Sequence, residues 1–159
     1  KFEYIKNRIE SFFNPTTGTH NFQSDKAIDA ITSGGFFGKG IGEGTLKNRV
    51  PEAHTDYIIS VISEEFGVVI IILLLIVFLF FIYNVFKKLY VEKNEKIKLI
   101  LAGSITLILV QTLIHLGVNI RLFPTTGMTL PYLSYGGSSI VGVSILSGII
   151  LNLTKRKLN

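Results

Sequence analysis

The hydrophobic and polar positions of the chain divide it into a mixed amino-terminal part and three long apolar windows. The windows cover residues 66–86, 99–120 and 132–153, and none of them contains a lysine, arginine, aspartate or glutamate. A helix rises about 1.5 Å per residue and a hydrocarbon core is about 30 Å thick, so each window can cross a membrane as a helix. The pattern therefore predicts an all-α polytopic membrane protein with three transmembrane helices.

The part before the first window has the pattern of a large irregular loop. Residues 1–50 are rich in glycine and other turn formers, and the spacing of apolar residues predicts only short helices at residues 4–13 and 24–32. Pro51 suits the first position of a helix. We therefore expect one continuous helix over residues 51–86, whose first turns protrude from the membrane before the apolar window begins.

The distribution of charge predicts how the chain is oriented. The chain has 48% apolar and 17% charged residues, a mean hydropathy of +0.48 and a net charge of +5. Residues 1–65 hold seven cations and nine anions, so the positive excess lies in the segments 87–98 and 154–159 beside the windows. Lysine and arginine favour the cytoplasmic side, which places these two segments inside and residues 1–65 and 121–131 outside. A basic excess confined to such segments also argues against binding of nucleic acid.

The sequence PEAHTD before the first window carries the strongest candidate chemistry. Glu52 and Asp56 are four residues apart and share one face of the expected helix. They can be explained as acids that stabilise a helix start, or Asp56 can act as a general base on a lipid-linked sugar held at this depth. His54 points away from both acids on a helix, so no compact metal site is expected. A divalent cation, Mg or Mn, shared between an acid and a substrate diphosphate remains compatible with the pattern.

The glycine-rich run GGFFGKGIGEG is followed by two cations, Lys47 and Arg49. The run lacks the Gly-Lys-Ser/Thr ending and the preceding strand of a nucleotide phosphate loop, so we interpret it as a flexible loop. Lys47 and Arg49 either face solvent or offer positive charge to a diphosphate. The chain has no cysteine, which excludes disulfides and thiolate metal sites.

A polar stripe runs along the second window. Gln111, His115 and Asn119 recur every four residues and therefore lie on one helix face. Polar groups are costly in hydrocarbon, so the stripe must face protein or a water-filled cavity. It serves either hydrogen bonding between helices or the lining of a substrate path.

The third window carries small residues at four-residue spacing. Ser134, Ser138 and Gly142 form one such series, and Ser144 and Gly148 form another. Small residues at this spacing allow two membrane helices to approach closely. We therefore expect this helix to be packed inside a bundle.

Two long motifs resemble one known family. The motifs are SGGFFGKGIGEGTLKNRVPEAHTDYIISVISEEFG and NIRLFPTTGMTLPYLSYGGSSIV. They occur in this order with membrane spans between them, and the match covers nearly all of residues 22–153. The chain resembles the SEDS family (shape, elongation, division and sporulation), and within it the cell-division branch, FtsW. Since residue 1 is lysine, we expect the chain to be a carboxyl-terminal fragment of such a protein.

The resemblance implies a fold, an activity and partners. SEDS proteins are ten-span polymerases of the bacterial inner membrane that join lipid II units into peptidoglycan strands with a class B penicillin-binding transpeptidase. The three windows would be the last three spans, preceded by a large extracytoplasmic loop. The FtsW branch further implies action at the division site together with other division proteins. The chain without the other spans is expected to be inactive.

The resemblance also implies site residues. The essential aspartate of the family matches Asp56, and its SYGGSS motif, which lines a central cavity, matches residues 134–139. Some relatives carry a lysine where this chain has Thr126, so no cation is transferred to that position. The candidate substrate-binding residues, from the motifs and the charges together, are Glu52, His54, Lys47, Arg49, Ser134, Gly136, Gly137, Ser138 and Ser139.

We therefore predict a peptidoglycan glycosyltransferase with Asp56 as the general base. Two alternatives remain from other functional classes. In a flippase for the lipid-linked precursor, the polar stripe and the third span would line a translocation path. In a non-enzymatic division scaffold, Asp56 would be a helix-start charge only.

Overall fold

The structure is a computed structural model that describes residues 3, 6, 19–50 and 53–155. Within residues 19–50 and 53–155 the chain forms six helices and no strand, which confirms the all-α fold. Of the two short helices expected in the first 50 residues, that at 24–32 lies inside a longer helix, whereas that at 4–13 falls outside the described residues except for Lys6. The helices are α1 Thr19–Gly34, α2 Leu46–Arg49, α3 Ile58–Phe66, α4 Val68–Val91, α5 Glu95–Asn119 and α6 Gly137–Thr154.

The helix that we expected to run unbroken over residues 51–86 is interrupted twice, which corrects that prediction. Residues 53–57 form a turn, and regular helix begins only at Ile58. The reason is that the carbonyl groups of residues 54–56 accept hydrogen bonds from other segments and therefore cannot build a helical ladder. The second interruption is Gly67, whose φ of 82° and ψ of 175° separate α3 from α4.

The glycine-rich run packs against the α3–α4 junction, which corrects the expectation of a flexible loop. Lys39 and Gly40 donate backbone hydrogen bonds to the carbonyls of Glu64 and Glu65, at 2.9 and 3.0 Å. A Cβ at Gly38 would lie 2.2 Å from Glu65 O, so only glycine permits this backbone contact. The glycines are thus needed for close approach between two segments.

Three helices, α4, α5 and α6, are long and apolar enough to cross a membrane. They pack on a shared apolar cluster that includes Val85, Leu101, Ile105, Ile108 and Ile150. The chain is therefore a multi-pass membrane protein, as the three windows predicted.

The bounds of the spans differ from the windows at both connections. The loop expected at 87–98 is reduced to residues 92–94, because the lysines continue the helix and Asn94 caps α5 by accepting a hydrogen bond from the Lys96 N–H at 3.0 Å. Helix α6 begins at Gly137, five residues after the window begins, because Ser134 and Tyr135 bond to the turn at 53–57 instead.

Helix α1 packs across α3 and covers the segment that precedes it. The shared apolar cluster contains Ala27, Ala30, Leu46, Val50, Ala53, Tyr57, Val61 and Val118. Because Val118 lies in the last turn of α5, this cluster joins the amino-terminal segments to one end of the membrane helices.

The small residues of α6 are exposed among the described residues. Ser138, Gly142, Ser144 and Gly148 are all exposed, and a Cβ at Gly142 or Gly148 would meet nothing within 4 Å. The described part of the chain therefore supplies no helix against this face, and its packing in a bundle stays a prediction.

Candidate functional site

The residues that precede α3 form a tightly held turn, which we call the acidic turn (residues 53–57). Three consecutive backbone carbonyls accept hydrogen bonds from two other parts of the chain. His54 O accepts from the Tyr135 N–H at 3.0 Å and Thr55 O from Ser134 Oγ at 2.8 Å. Asp56 O accepts from Asn119 Nδ2 at 2.8 Å. The position of Asp56 is therefore determined by contacts far away in the sequence.

The polar stripe of α5 supplies much of this support. His115 Nε2 lies 3.2 Å from Thr55 O, and since a carbonyl can only accept, this nitrogen carries the proton. Gln111 Nε2 donates to Thr129 O at 2.8 Å. Together with Asn119, these contacts confirm that the stripe serves hydrogen bonding between segments.

Asp56 is buried, with 8% of its surface exposed. It lies two residues before the first residue of α3, and no acid occupies the first turn of that helix. Asp56 therefore does not lie on the helix face that we expected it to share with Glu52, because the acidic turn is not helical. Glu52 itself lies outside the described residues.

A cavity of about 560 Å³ opens beside the acidic turn. His54 and Ile58, which flank Asp56 in the chain, line one side, and Tyr132, Ser134 and Tyr135 line another. Tyr132 has a φ of 67°, a left-handed conformation that is unfavourable for an aromatic residue. Its hydroxyl is 2.5 Å from Ser147 Oγ. The cavity is thus bounded by the acidic turn and the segment that leads into α6.

The candidate residues from SYGGSS divide into supporting and exposed positions. Ser134 is buried, and its hydroxyl both donates to Thr55 O and accepts from the Leu130 N–H at 2.8 Å. Ser139 accepts from Thr129 Oγ1 at 2.5 Å. Gly136 is half-buried just before α6, whereas Gly137 and Ser138 are exposed in its first turn.

One candidate cation, Arg49, lies at a different cavity. Arg49 is exposed and lines a cavity of about 260 Å³ together with Lys26, Asp29, Lys39 and Glu64. The side chain of Lys47 lies outside what the structure describes. The structure therefore does not bring Arg49 together with His54 and Ser134.

The sequence of the chain matches an established family. The FtsW/RodA/SpoVE family model, described as "Cell cycle protein", matches residues 2–159. The chain belongs to this family. The resemblance to SEDS proteins is thereby confirmed.

Relatives in the FtsW/RodA/SpoVE family match over almost the whole chain. A protein of Caulobacter vibrioides (strain NA1000 / CB15N) is 37% identical over 157 residues, and one of Enterococcus hirae is 39% identical over 159 residues. Both are named "Probable peptidoglycan glycosyltransferase FtsW". Each match covers 98% of this chain and 40% of the relative, so the chain spans about two fifths of the length of these relatives.

A solved structure shows the same arrangement of helices. It belongs to a study of the "structural coordination of polymerization and crosslinking by a peptidoglycan synthase complex". The match has a TM-score of 0.68 at 26% sequence identity and covers 95% of this chain and 41% of that chain. The fold of these residues therefore matches about two fifths of a chain in that structure.

Glu64 is a buried acid to which the sequence reasoning assigned no role. Its Oε1 accepts from Lys39 Nζ at 2.8 Å and Thr45 Oγ1 at 3.1 Å, and its Oε2 accepts from the Leu46 N–H at 2.9 Å. Burial raises the pKa of Glu64, but these hydrogen bonds outweigh burial and lower the pKa to about 2. Glu64 therefore fastens the glycine-rich run and α2 to α3. The sequence signal that could have indicated such a pair is an acid just before a span together with a lysine in the nearby glycine-rich run.

The described residues contain no cluster of three or more His, Asp and Glu side chains that could hold a metal ion. A site that shares Asp56 with a substrate diphosphate needs only one protein carboxylate, because Mg²⁺ keeps several water and phosphate ligands. The divalent cation, Mg or Mn, thus remains a prediction.

Proposed function

We propose that the protein containing this chain is a peptidoglycan glycosyltransferase that polymerises lipid II into glycan strands during bacterial cell division, with Asp56 as the general base. The names of the FtsW relatives support the reaction. The observation that carries the assignment of Asp56 is the acidic turn, whose three consecutive carbonyls are hydrogen-bonded to other segments.

The location of the acidic turn suits a lipid-linked substrate. Asn119, which bonds to Asp56 O, is the last residue of the membrane-spanning helix α5, so the turn lies at the membrane boundary. The lysines Lys96 and Lys98 lie at the opposite end of α5, which by the positive-inside bias supports an extracytoplasmic acidic turn. A polyprenyl tail in the bilayer would hold a sugar headgroup at this depth.

In the proposed reaction, Asp56 takes the proton of the acceptor sugar's 4-hydroxyl as that oxygen attacks the anomeric carbon of the donor. A new glycosidic C–O bond forms, and the bond from the anomeric carbon to the diphosphate oxygen breaks. Polyprenyl diphosphate leaves with the bonding electron pair. Hydrogen bonding of the turn favours this step, because it fixes the backbone that carries the carboxylate.

The leaving diphosphate requires positive charge. A bound Mg²⁺ or Mn²⁺ would supply charge neutralisation, and Asp56 would hold it together with the diphosphate. Lys47 and Arg49 are further candidates for contact with the diphosphate. The proposed contacts to the sugars are Glu52, His54, Ser134, Gly136, Gly137, Ser138 and Ser139.

The proposed partner is a class B penicillin-binding transpeptidase, which would crosslink the strands that the polymerase makes. The solved relative from a peptidoglycan synthase complex supports this pairing. We further propose that the protein works in the bacterial inner membrane at the division site together with other division proteins.

The test is Asp56→Asn in the whole protein, reconstituted with its transpeptidase and supplied with lipid II. We expect polymer formation to fall by about 10²-fold or more, because an amide cannot accept the proton. Glu43→Gln makes the same chemical change at an exposed acid and should retain polymerisation. Unchanged thermal unfolding of both variants would show that the fold is retained.

Three outcomes would count against the proposal. Polymer formation by Asp56→Asn at the normal rate would remove Asp56 from the chemistry. Translocation of lipid II headgroups across vesicles without any polymer from the unmodified protein would favour a flippase, and binding of the transpeptidase with neither activity would favour a scaffold.

A further inference from the structure

The glycine-rich run presents large apolar side chains to the outside of the molecule. Phe36, Phe37 and Ile41 are 75%, 86% and 80% exposed, and we call these three residues the aromatic tip. Leaving three such side chains in water is unfavourable, since each loses the free energy gained by burying apolar surface. A surface of this kind indicates a partner that is itself apolar.

The backbone of the aromatic tip is attached to the beginning of a membrane helix. The Val68 N–H donates to Gly35 O at 3.0 Å, and the Val69 N–H donates to Phe36 O at 3.4 Å. Val68 and Val69 are the first two residues of α4, a helix of 24 residues. The aromatic tip therefore has a fixed position relative to the end of a span.

Close contact at Gly67, just before α4, fixes where the aromatic tip lies along that helix. A Cβ at Gly67 would lie 2.2 Å from Phe36 O and 2.5 Å from Gly38 N. Contacts this close exist only because both segments expose bare backbone to each other. The height of Phe36 and Phe37 along the membrane normal is thus set by α4.

That height coincides with the boundary of the hydrocarbon core. Helix α4 is about 36 Å long at about 1.5 Å per residue, slightly more than the about 30 Å of a hydrocarbon core, so its first turn lies at the boundary. Residues 30–38 carry no charged side chain, and the amine of Lys39 is directed to Glu64. Aromatic and aliphatic side chains at this depth insert between lipid headgroups and acyl chains.

We propose that Phe36, Phe37 and Ile41 insert into the lipid bilayer at the amino-terminal end of α4 and anchor the glycine-rich run there. Through the bonds of Glu64 to Lys39 and Leu46, this anchor would hold α2 and α3 at a constant depth. The proposal does not depend on the reaction that the protein catalyses.

The test uses single cysteines, each labelled with a nitroxide, in the whole protein reconstituted in lipid nanodiscs. This chain contributes no cysteine of its own, and any elsewhere would be replaced. Collision with molecular oxygen reports lipid, and collision with a water-soluble nickel complex reports water. The test variants are Phe36→Cys and Phe37→Cys. The lipid control is Leu79→Cys, because Leu79 lies on α4 and is 63% exposed. The water control is Glu43→Cys, because Glu43 is exposed.

We expect both test positions to collide more with oxygen than with nickel, as Leu79→Cys does, and Glu43→Cys to show the reverse. Labels at 36 and 37 that behave like the label at 43 would overturn the proposal. Labels at 36 and 37 that neither reagent reaches would also overturn it, since they would show that protein covers the aromatic tip.

Discussion

Asn119, the last residue of α5, donates a hydrogen bond from Nδ2 to the backbone carbonyl of Asp56 at 2.8 Å. Its Oδ1 accepts from both the backbone N–H and the hydroxyl of Ser60, at 3.1 and 2.7 Å. One buried amide thus joins the end of a membrane helix to both the acidic turn and the first turn of α3. This explains how the backbone of Asp56 is held in one position although it lies on a non-helical segment.

Replacing Asn119 by leucine should destabilise the protein and disturb the acidic turn. The change removes the bonds of Asn119 to the Ser60 N–H, the Ser60 hydroxyl and Asp56 O, which should cost about 2–4 kcal/mol of unfolding free energy. Asn48→Leu, the same change at an exposed position, is the matched control. Thermal unfolding of the purified whole protein measures both, and equal melting temperatures for the two variants would contradict a supporting role for Asn119.

Glu64→Gln should loosen the attachment of the glycine-rich run. The neutral amide loses the ion pair with Lys39. One carboxylate oxygen is also replaced by an NH₂ group, which cannot accept the hydrogen bond that the Thr45 hydroxyl or the Leu46 N–H donates in the unmodified protein. The shift of the Glu64 pKa from 4.5 to about 2 corresponds to about 3 kcal/mol of unfolding free energy near neutral pH. Glu43→Gln, at an exposed acid, should change stability by less than about 0.5 kcal/mol. Equal melting temperatures for Glu64→Gln and Glu43→Gln would show that Glu64 does not fasten the glycine-rich run.

The same carboxylate predicts a dependence of stability on pH. Because the pKa of Glu64 is lower when folded, about 2 against 4.5, the unfolded chain binds the proton first on acidification. The contribution of Glu64 is therefore complete above pH 4.5 and is lost as the pH falls towards 2. Melting temperatures of the unmodified protein and Glu64→Gln should converge over this window. A gap between them that stays constant from pH 7 to pH 3 would argue against this assignment.

The close backbone contact at Gly67 should not tolerate a side chain. Gly67→Ala meets Phe36 O at 2.2 Å and also places alanine at a φ of 82°, so it should cost several kcal/mol. Gly35→Ala is the matched control, because Gly35 also has a positive φ, 57°, but a Cβ there meets nothing within 4 Å. That variant should lose only about 1–2 kcal/mol, the cost of the left-handed conformation. The folded yield and the thermal unfolding of the two variants separate steric contact from backbone strain, and equal losses would rule out the contact.

The parts of the fold that depend on local pattern were predictable from the sequence, and the parts that depend on distant contacts were not. Uncharged apolar windows identify three spans because length and hydropathy suffice for that purpose. The sequence could not reveal that residues 53–57 leave the helix, since the competing hydrogen bonds come from Asn119, Ser134 and Tyr135. Pro51 and the acids favoured a helix start locally, and tertiary contacts overrode that preference.

The candidate site shows the same division. The polar stripe was predictable because its spacing is local, whereas its bonds to Thr55 and Asp56 depend on the fold. The glycine-rich run gave no sign of its partner, because the contact is made by backbone atoms of both segments. Glycine composition alone cannot distinguish a loop from a packed junction.

Two serines of the SYGGSS motif should respond differently to the same substitution. Ser134→Ala removes the bond to Thr55 O and leaves the buried Leu130 N–H unpaired, so it should cost about 1–3 kcal/mol of unfolding free energy. Ser138 is exposed at the start of α6, and Ser138→Ala should leave thermal unfolding unchanged. If Ser138 contacts the sugars as proposed, its variant should instead raise the KM for lipid II with little change in kcat. The reverse pattern, in which Ser134→Ala unfolds normally and Ser138→Ala is unstable, would mean that the acidic turn is not supported by the segment before α6.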